Sequence, residues 1–489
     1  MIFSVDKKSS CFLPIILGII FVIIYIPLWG WTVHVAHEQE QVHREDIMPV
    51  LGLEDSLNYR VLADNLIRHH VFSAQTSEPF IHETFRVPGY PFFAALIKAI
   101  AGSYLAVSFV QVILTFVTSL LIFFLGKKLH SQRVGFIAAL LFIIDPVVVQ
   151  YTLLMMSDIL FVFLITLAVY IYLNGFTSVA PLASSASSVP SAWQALKRMA
   201  SVGLILGMAT LVRPISMYLI IPLVCLELFR NYSSVGWKKR IAAALCILVA
   251  FAACIVPWMI RNKVASGVLA VSSISTYNLF AFNLPGYYLF HDGIPESQTK
   301  EAFFREAGGI NEDQACMLEY AGVIGPVVSG NLKEHFFSYA YFHIAKVTSF
   351  FFSSSYESLL TTYLQVSPYR TAPIEIIKDP HLSDLFARHE WVRLGKGLMS
   401  HIPALIERIF WGIMFLCACA AVWVYRRSVA VWMYAGLIAY FAVVTGPVAN
   451  ARYRLPGMPF LFLLAVMGIV ALWPLLVCLM CPRIEEKKL

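Results

Sequence analysis

The chain has 489 residues, of which 59% are apolar and only 13% charged, whereas a soluble domain carries about 25% charge. Long uncharged runs recur along it, and a helix needs roughly 20 apolar residues to cross a bilayer. Composition therefore excludes an ordinary soluble protein. The net charge of +7 is not a nucleic-acid signal, because basic residues in a membrane protein first mark the loops that stay in the cytoplasm.

The predicted fold is all-α, a polytopic transmembrane helix bundle of about ten spans, with room for about thirteen, and with juxtamembrane helices on its outer face. Residues 11–29 are apolar, follow Lys7 and Lys8, and lack a small-x-small cleavage site, so residues 1–29 read as an uncleaved first anchor. An outer segment, 30–103, follows. A transmembrane core over 104–259 holds spans near 104–125, 134–150, 158–174, 199–212, 215–229 and 241–259. A second outer segment covers 260–405. Residues 406–489 supply the last spans, near 406–425, 428–446 and 457–480, and a short cytoplasmic tail. The loop 175–192, rich in Ser, Ala and Pro, reads as a flexible linker.

With the N-terminus inside, every basic cluster at a short loop falls on one side: Lys127, Lys128 and Arg133; Lys197 and Arg198; Arg230, Lys238, Lys239 and Arg240; Arg426 and Arg427; Arg483, Lys487 and Lys488. This count requires that 199–212 and 215–229 form a hairpin turning at Arg213-Pro214. It also requires that the aromatic stretch 335–352 lie in the interface rather than span. Of the nine cysteines only Cys316 sits in a large loop, so no disulfide framework is expected.

The stretch "EDSLNYRVLADNLIRHHVFS" (54–73) is polar where its surroundings are apolar. Leu57, Val61, Leu62, Leu66 and Ile67 define one helical face, and Asn58, Arg60, Asn65 and Arg68 the other, which predicts an amphipathic helix along the membrane surface. Asp55 opens it and Tyr59 sits one turn on. The plain reading of Asp55 is a helix N-cap. Two further acids share its predicted face: Glu83, in "HETFRVPGYPFF", and Asp158, which opens a span. A carboxylate entering an apolar helix is costly and is a functional candidate by default, although Asp158 could also be a cap. Arg86, Arg213, Arg261, Arg452 and Arg454 fall on the same outer side, against the positive-inside rule. A phosphate-bearing ligand would account for them, because guanidinium groups bind phosphate oxygens bidentately. Lipid head groups, or ion pairs with Glu83 or Asp55, are the plainer alternative. His34, His37 and His43 have near-helical spacing but no Cys partners, and read as solvated rather than metal-bound. His69 and His70 point to different helix faces and do not share one ion. Met155 and Met156, and Phe350–Phe352, read as core or lipid contacts.

An outer-loop Asp, "FRVPGYPFF", a second acid opening a later span, "LVRP", "PWMIRN" and "ARYRLPGMPFL" occur in that order. The ordered set resembles the GT-C superfamily of membrane glycosyltransferases, nearest to the bacterial protein-mannosyltransferase and aminoarabinose-transferase-like branch. The likeness is strongest from Asp55 to about Asn283 and returns at 451–465. It implies transfer of a monosaccharide, hexose or pentose, from a polyprenyl-phosphate carrier to a lipid, glycan or protein acceptor at the outer face of a bacterial inner membrane. Such transfer mostly inverts the anomeric centre. The resemblance makes Asp55, supported by Tyr59 over its neighbour Glu54, the general base. Asp158 would orient its surroundings or share a divalent cation with it, since some members use a metal and others do not. Glu83 would be a further acid of the site. Arg86, Arg261, Arg452 and Arg454, with Tyr59 and Arg213, would bind the donor phosphate. The short tail is read as favouring a single-sugar donor. Two competing readings are an O-antigen-type polymerase or ligase and a flippase for a lipid-linked sugar. A flippase should carry its polar residues at mid-span and show repeat symmetry.

Overall fold

The computed structural model describes residues 12–42, 54–174, 192–229, 236–355 and 391–480. His43, the linker 175–192 apart from its last residue, and the basic residues Lys7, Lys8, Arg230, Arg483, Lys487 and Lys488 lie outside them, as does the side chain of Glu54. Every regular element among the described residues is helical.

Among the described residues, seven helices are long and apolar enough to cross a membrane: Phe12–His37, Leu105–Leu129, Trp193–Val212, Trp237–Ser266, Ile402–Val424, Val429–Val448 and Ala451–Pro474. An eighth crossing is a bent pair, Gln132–Ile144 and Pro146–Leu153, which meet at 58°. The sequence predicts one straight span there. The break has a local cause: Pro146 has no N–H to give to the helix before it, and the Asp145 carboxylate accepts from the amides of Val147 and Val148 (2.9 and 3.2 Å), capping a new helix. Three shorter apolar helices complete the set: Gly89–Ala101, Asp158–Asn174 and Pro214–Phe229. The sequence places the first only within the outer segment 30–103. Its Phe92, Leu96 and Ile100, one turn apart, are all exposed and form an apolar stripe.

The helix Asp158–Asn174 acts as a ruler for the predicted hairpin. At its N-terminus Asp158 pairs with Arg213; near its C-terminus the Tyr172 hydroxyl donates to Glu227 (3.0 Å). Residues 213–227 therefore run back along it, and the chain turns at Arg213-Pro214. Helices cross closely where glycine allows it. At Gly468 in the last helix, an added Cβ would overlap the carbonyl of Cys417 on the helix Trp391–Val424.

Residues 272–339 form a second cluster around Tyr277, Phe280, Leu284, Phe303 and Ile324. It grips the loop before Gly89–Ala101. The amides of Ser273 and Leu318 donate to the Thr84 carbonyl and hydroxyl (3.2 and 3.0 Å), and Phe85 packs edge-on to Tyr277. The aromatic stretch forms the helix Phe336–Phe352, which is not among the helices long and apolar enough to span. It buries Phe342 and Phe350 and exposes Phe337, Tyr341 and Ile344.

Candidate active site

The surface helix Glu54–Arg68 forms as predicted, but its buried stripe is rotated. Ser56, Tyr59, Leu62 and Ala63 face inward, and so does Asn65, expected on the polar face. The Asn65 amide donates to the carbonyls of Ser73 and Gln75 (2.7 Å each), so it closes the loop behind the helix instead of meeting water.

This rotation brings Asp55 to a cluster of three arginines. Arg86 donates to Asp55 Oδ1 (2.5 Å) and Arg452 to Oδ2 (3.2 Å). Arg452 also reaches Asp158, through Nε and Nη2, at 3.1–3.2 Å. Arg213 pairs with the other side of Asp158. The result is an alternating chain, Arg86–Asp55–Arg452–Asp158–Arg213, with three positive and two negative groups. Asp158 is sealed in, its side chain 1% exposed, whereas the Asp55 carboxylate is 27% exposed. Burial alone would raise the Asp55 carboxyl, but Arg86 and Arg452 outweigh it and hold it at about 2. The bonds shown for Asp55 run to guanidinium groups, not to the helix amides of a cap.

The remaining candidates separate. Tyr59 lies beside the chain, buried, with Arg86 over its ring at 5.4 Å and its hydroxyl donating to Ser157 (3.3 Å). Glu83 turns away: its Oε1 accepts from the amides of Phe85 (2.5 Å) and Arg86 (3.0 Å), so it shapes the turn that aims Arg86. Arg261 donates to the carbonyls of Glu83 (2.6 Å) and Phe72 (3.3 Å) and lies over Trp258 at 4.8 Å. It ties the outer loop together without meeting either aspartate. Arg454, expected at the donor phosphate, is fully buried. Its guanidinium lies 3.6 Å over the Trp411 ring and donates to the carbonyls of Phe350, Phe351 and Ser353 (3.0–3.4 Å). The structure does not bring it to Asp55.

Sequence reasoning missed Tyr151, whose ring lies under Arg452 at 5.4 Å, and Gln111. Gln111 is buried in the helix Leu105–Leu129. It accepts from Tyr90 (2.7 Å) and donates to the carbonyls of Thr152 and Leu154 (3.0 and 2.7 Å), where the chain unwinds ahead of Asp158. An amide inside an apolar span was the available signal. Met155 and Met156 are core residues, and Met156 Sδ accepts from Ser56.

The donor set does not fit a resident divalent cation. Both oxygens of each aspartate are engaged by guanidinium groups, and among the described residues no three acidic, His or Cys side chains converge. A cation seated there would have to displace an arginine.

The family model for dolichyl-phosphate-mannose-protein mannosyltransferases matches residues 85–260. No curated protein matches the chain. Among solved structures, the Archaeoglobus fulgidus oligosaccharyltransferase in its apo form aligns over 98% of this chain and 52% of its own, at 14% identity and a TM-score of 0.51. The same enzyme tethered to an acceptor peptide containing an NVT sequon aligns over 98% and 51%, at 12% identity and 0.51. The chain thus spans about half the length of the oligosaccharyltransferase it matches. ArnT from Cupriavidus metallidurans, bound to undecaprenyl phosphate, aligns over 96% and 81% at 12% identity, with a TM-score of only 0.39. The fold is that of a polytopic helical membrane protein of the oligosaccharyltransferase kind. The match to the family model covers 176 of the 489 residues, so over that stretch the chain is similar to dolichyl-phosphate-mannose-protein mannosyltransferases.

Proposed function

We propose that this protein moves a monosaccharide from a polyprenyl-phosphate carrier to a lipid, glycan or protein hydroxyl, with Asp55 as the general base. The observation that carries the reading is the alternating chain itself. It joins Asp55 to Arg452 across 397 positions of sequence, in a chain whose residues 85–260 match a family model described by a lipid-phosphate sugar donor. In the reaction the acceptor oxygen bonds to the anomeric carbon on the face opposite the phosphate. The bond from that carbon to the phosphate oxygen breaks, and its electron pair leaves with the phosphate. The acceptor proton passes to Asp55, and the configuration inverts.

At about 2, free Asp55 is a weak base. Donor binding corrects this. A phosphate that recruits Arg86 or Arg452 takes from Asp55 the charge that holds its affinity for protons down, so the carboxylate becomes more basic when the donor is in place. The buried Nε of Arg86 has no hydrogen-bond partner among the described residues and is a donor available to that phosphate. Asp158 stays between Arg452 and Arg213 and keeps Arg452 aimed as the leaving charge grows. An apolar groove of about 420 Å³, lined by Ile165, Val169, Leu206, Leu219, Leu437 and Tyr440, follows the helix that Asp158 opens and offers a course for the carrier's tail.

In this reading the site faces the outside of a bacterial inner membrane and both termini are cytoplasmic. Lys128 supports that orientation: it donates to the Leu173 carbonyl (2.6 Å), at the end of the helix Asp158–Asn174 remote from Asp158. Mass spectrometry of envelope lipids and glycans, with and without the gene, identifies the product. Loss of one sugar adduct, restored by the wild-type chain and not by Asp55→Asn, is the expected result. An adduct that survives Asp55→Asn at normal levels removes Asp55 as the base.

A further inference from the structure

A second groove lies between the helices Trp391–Val424, Val429–Thr445 and Met458–Met480, with a volume of about 440 Å³. Phe415, Cys419, Ile438 and Leu461 line its length, and Trp423, Trp432 and Arg426 line its mouth. Val429–Thr445 separates it from the first groove, and Trp432 borders both. This mouth opens at the membrane face remote from Asp55, since Val429–Thr445 rises about 24 Å from Arg426 toward Arg452.

The mouth is built rather than incidental. Trp432 Nε1 donates to the Arg426 carbonyl (2.7 Å), which fixes the turn between the two helices. The Arg426 guanidinium donates to the Trp423 carbonyl (3.1 Å) and lies 5.3 Å over the Trp423 ring. Arg427 is exposed beside it, and neither arginine makes an ion pair among the described residues. Tryptophans at this depth suit the boundary between head groups and hydrocarbon. From Phe415 to Val424 the helix rises about 14 Å, close to half of the roughly 30 Å hydrocarbon layer. The apolar trough thus has the depth of one leaflet, and two cations stand where a lipid's phosphate lies.

We propose that this groove binds a diacyl phospholipid of net negative head group from the surrounding bilayer. One acyl chain runs along Phe415, Cys419 and Ile438, and the head group meets Arg426 and Arg427. The guanidinium pair supplies the preference for negative charge, because a zwitterionic lipid offers the same tails but no net charge to match. The site is separate from sugar transfer, and its test requires no sugar donor.

The test is native mass spectrometry of the intact chain in detergent, titrated with phosphatidylglycerol or phosphatidylcholine of equal chain length. The expected result is one bound phosphatidylglycerol at roughly tenfold lower concentration than phosphatidylcholine, a factor typical of one well-placed charge-assisted contact. Arg426→Ala with Arg427→Ala should erase the preference and leave the weaker binding. Lys238→Ala with Lys239→Ala, at another basic loop, should leave the preference intact. Ala435→Trp, which fills the trough, should weaken binding of both lipids. Equal affinity for the two lipids in the wild-type chain overturns the proposal, and so does a preference that survives loss of both arginines. A thermal melt of each variant separates loss of the site from loss of the fold.

Discussion

Arg452 and Arg454 stand two residues apart on one 3-10 segment, Ala451–Gly457, and lead opposite lives. With about three residues per turn, side chains two apart leave such a helix in different directions. Arg452 goes toward two carboxylates that can trade it for a phosphate. Arg454 goes inward, under Trp411, to three backbone carbonyls that can trade it for nothing. Around it, Glu407 accepts from the hydroxyls of Ser354 and Ser355 (2.6 Å each), so the chain just past the helix Phe336–Phe352 is tied to the same place. One region has charges that can be redistributed, and the other has charges fixed by the fold. The first is suited to a ligand that comes and goes, and the second to holding the first in register.

Substitutions that touch only one region can break this contrast. The largest effect is expected at Asp55→Asn, which keeps size and removes the basic carboxylate: transfer in reconstituted vesicles should fall about 10²–10⁴-fold, far more than the modest fall in melting temperature from losing its pairs with Arg86 and Arg452 can explain. Next comes Arg454→Ala, which strands buried carbonyls and the nearby Asp145 and Glu407 charges. It should cost about 3–5 kcal/mol of stability, read as a lowered melting temperature in detergent. Arg454→Lys should recover little of this, since an ammonium cannot both cover the Trp411 ring and serve three carbonyls. Arg452→Ala should do the reverse, lowering transfer about 10²-fold with a smaller fall in melting temperature than Arg454→Ala, because Asp158 keeps Arg213 and Asp55 keeps Arg86. If Arg452→Ala melts as early as Arg454→Ala, the two regions are one structural unit and the division fails.

The smallest effect concerns pH. The Asp55 carboxyl is held at about 2, below its ordinary value. The stability it contributes is therefore complete above about 4 and is lost as pH falls toward 2. Measured as kcat/KM, which reports the free enzyme, wild-type transfer should lose no Asp55-dependent activity between pH 7 and about 5. Arg86→Ala removes the first cation that opposes the desolvation of Asp55, so its acid limb should move upward. Identical acid limbs in the two proteins would show that Arg86 does not set the proton affinity of Asp55.

Much of the scaffold was legible because apolar length and basic loops report directly on lipid and on sidedness. The resemblance to membrane glycosyltransferases was legible from four short motifs and two acids in order. The split between the arginines was not. "ARYRLPGMPFL" shows two arginines before a proline but not that the segment winds as a 3-10 helix, and burial of Arg454 depends on Trp411, forty-three positions away. The same limit explains Asn65, whose partners at Ser73 and Gln75 lie in a loop with no periodicity, and Arg261, which serves carbonyls at Phe72 and Glu83. Asp145 was readable in principle, because an acid before proline is a helix-start signature, but the apolar run around it masked the cue.

The crossing at Gly468 and Cys417 can be seen as a fulcrum. Trp411 lies on one arm, about 9 Å along its helix, and the turn that carries both arginines lies at the end of the other, about 15 Å away. A single methyl group wedged at the pivot by Gly468→Ala would push the two arms apart, slide the Trp411 ring off Arg454 and swing Arg452 away from Asp55. A glycine contact deep in the bundle would then govern the aim of the charges at its end.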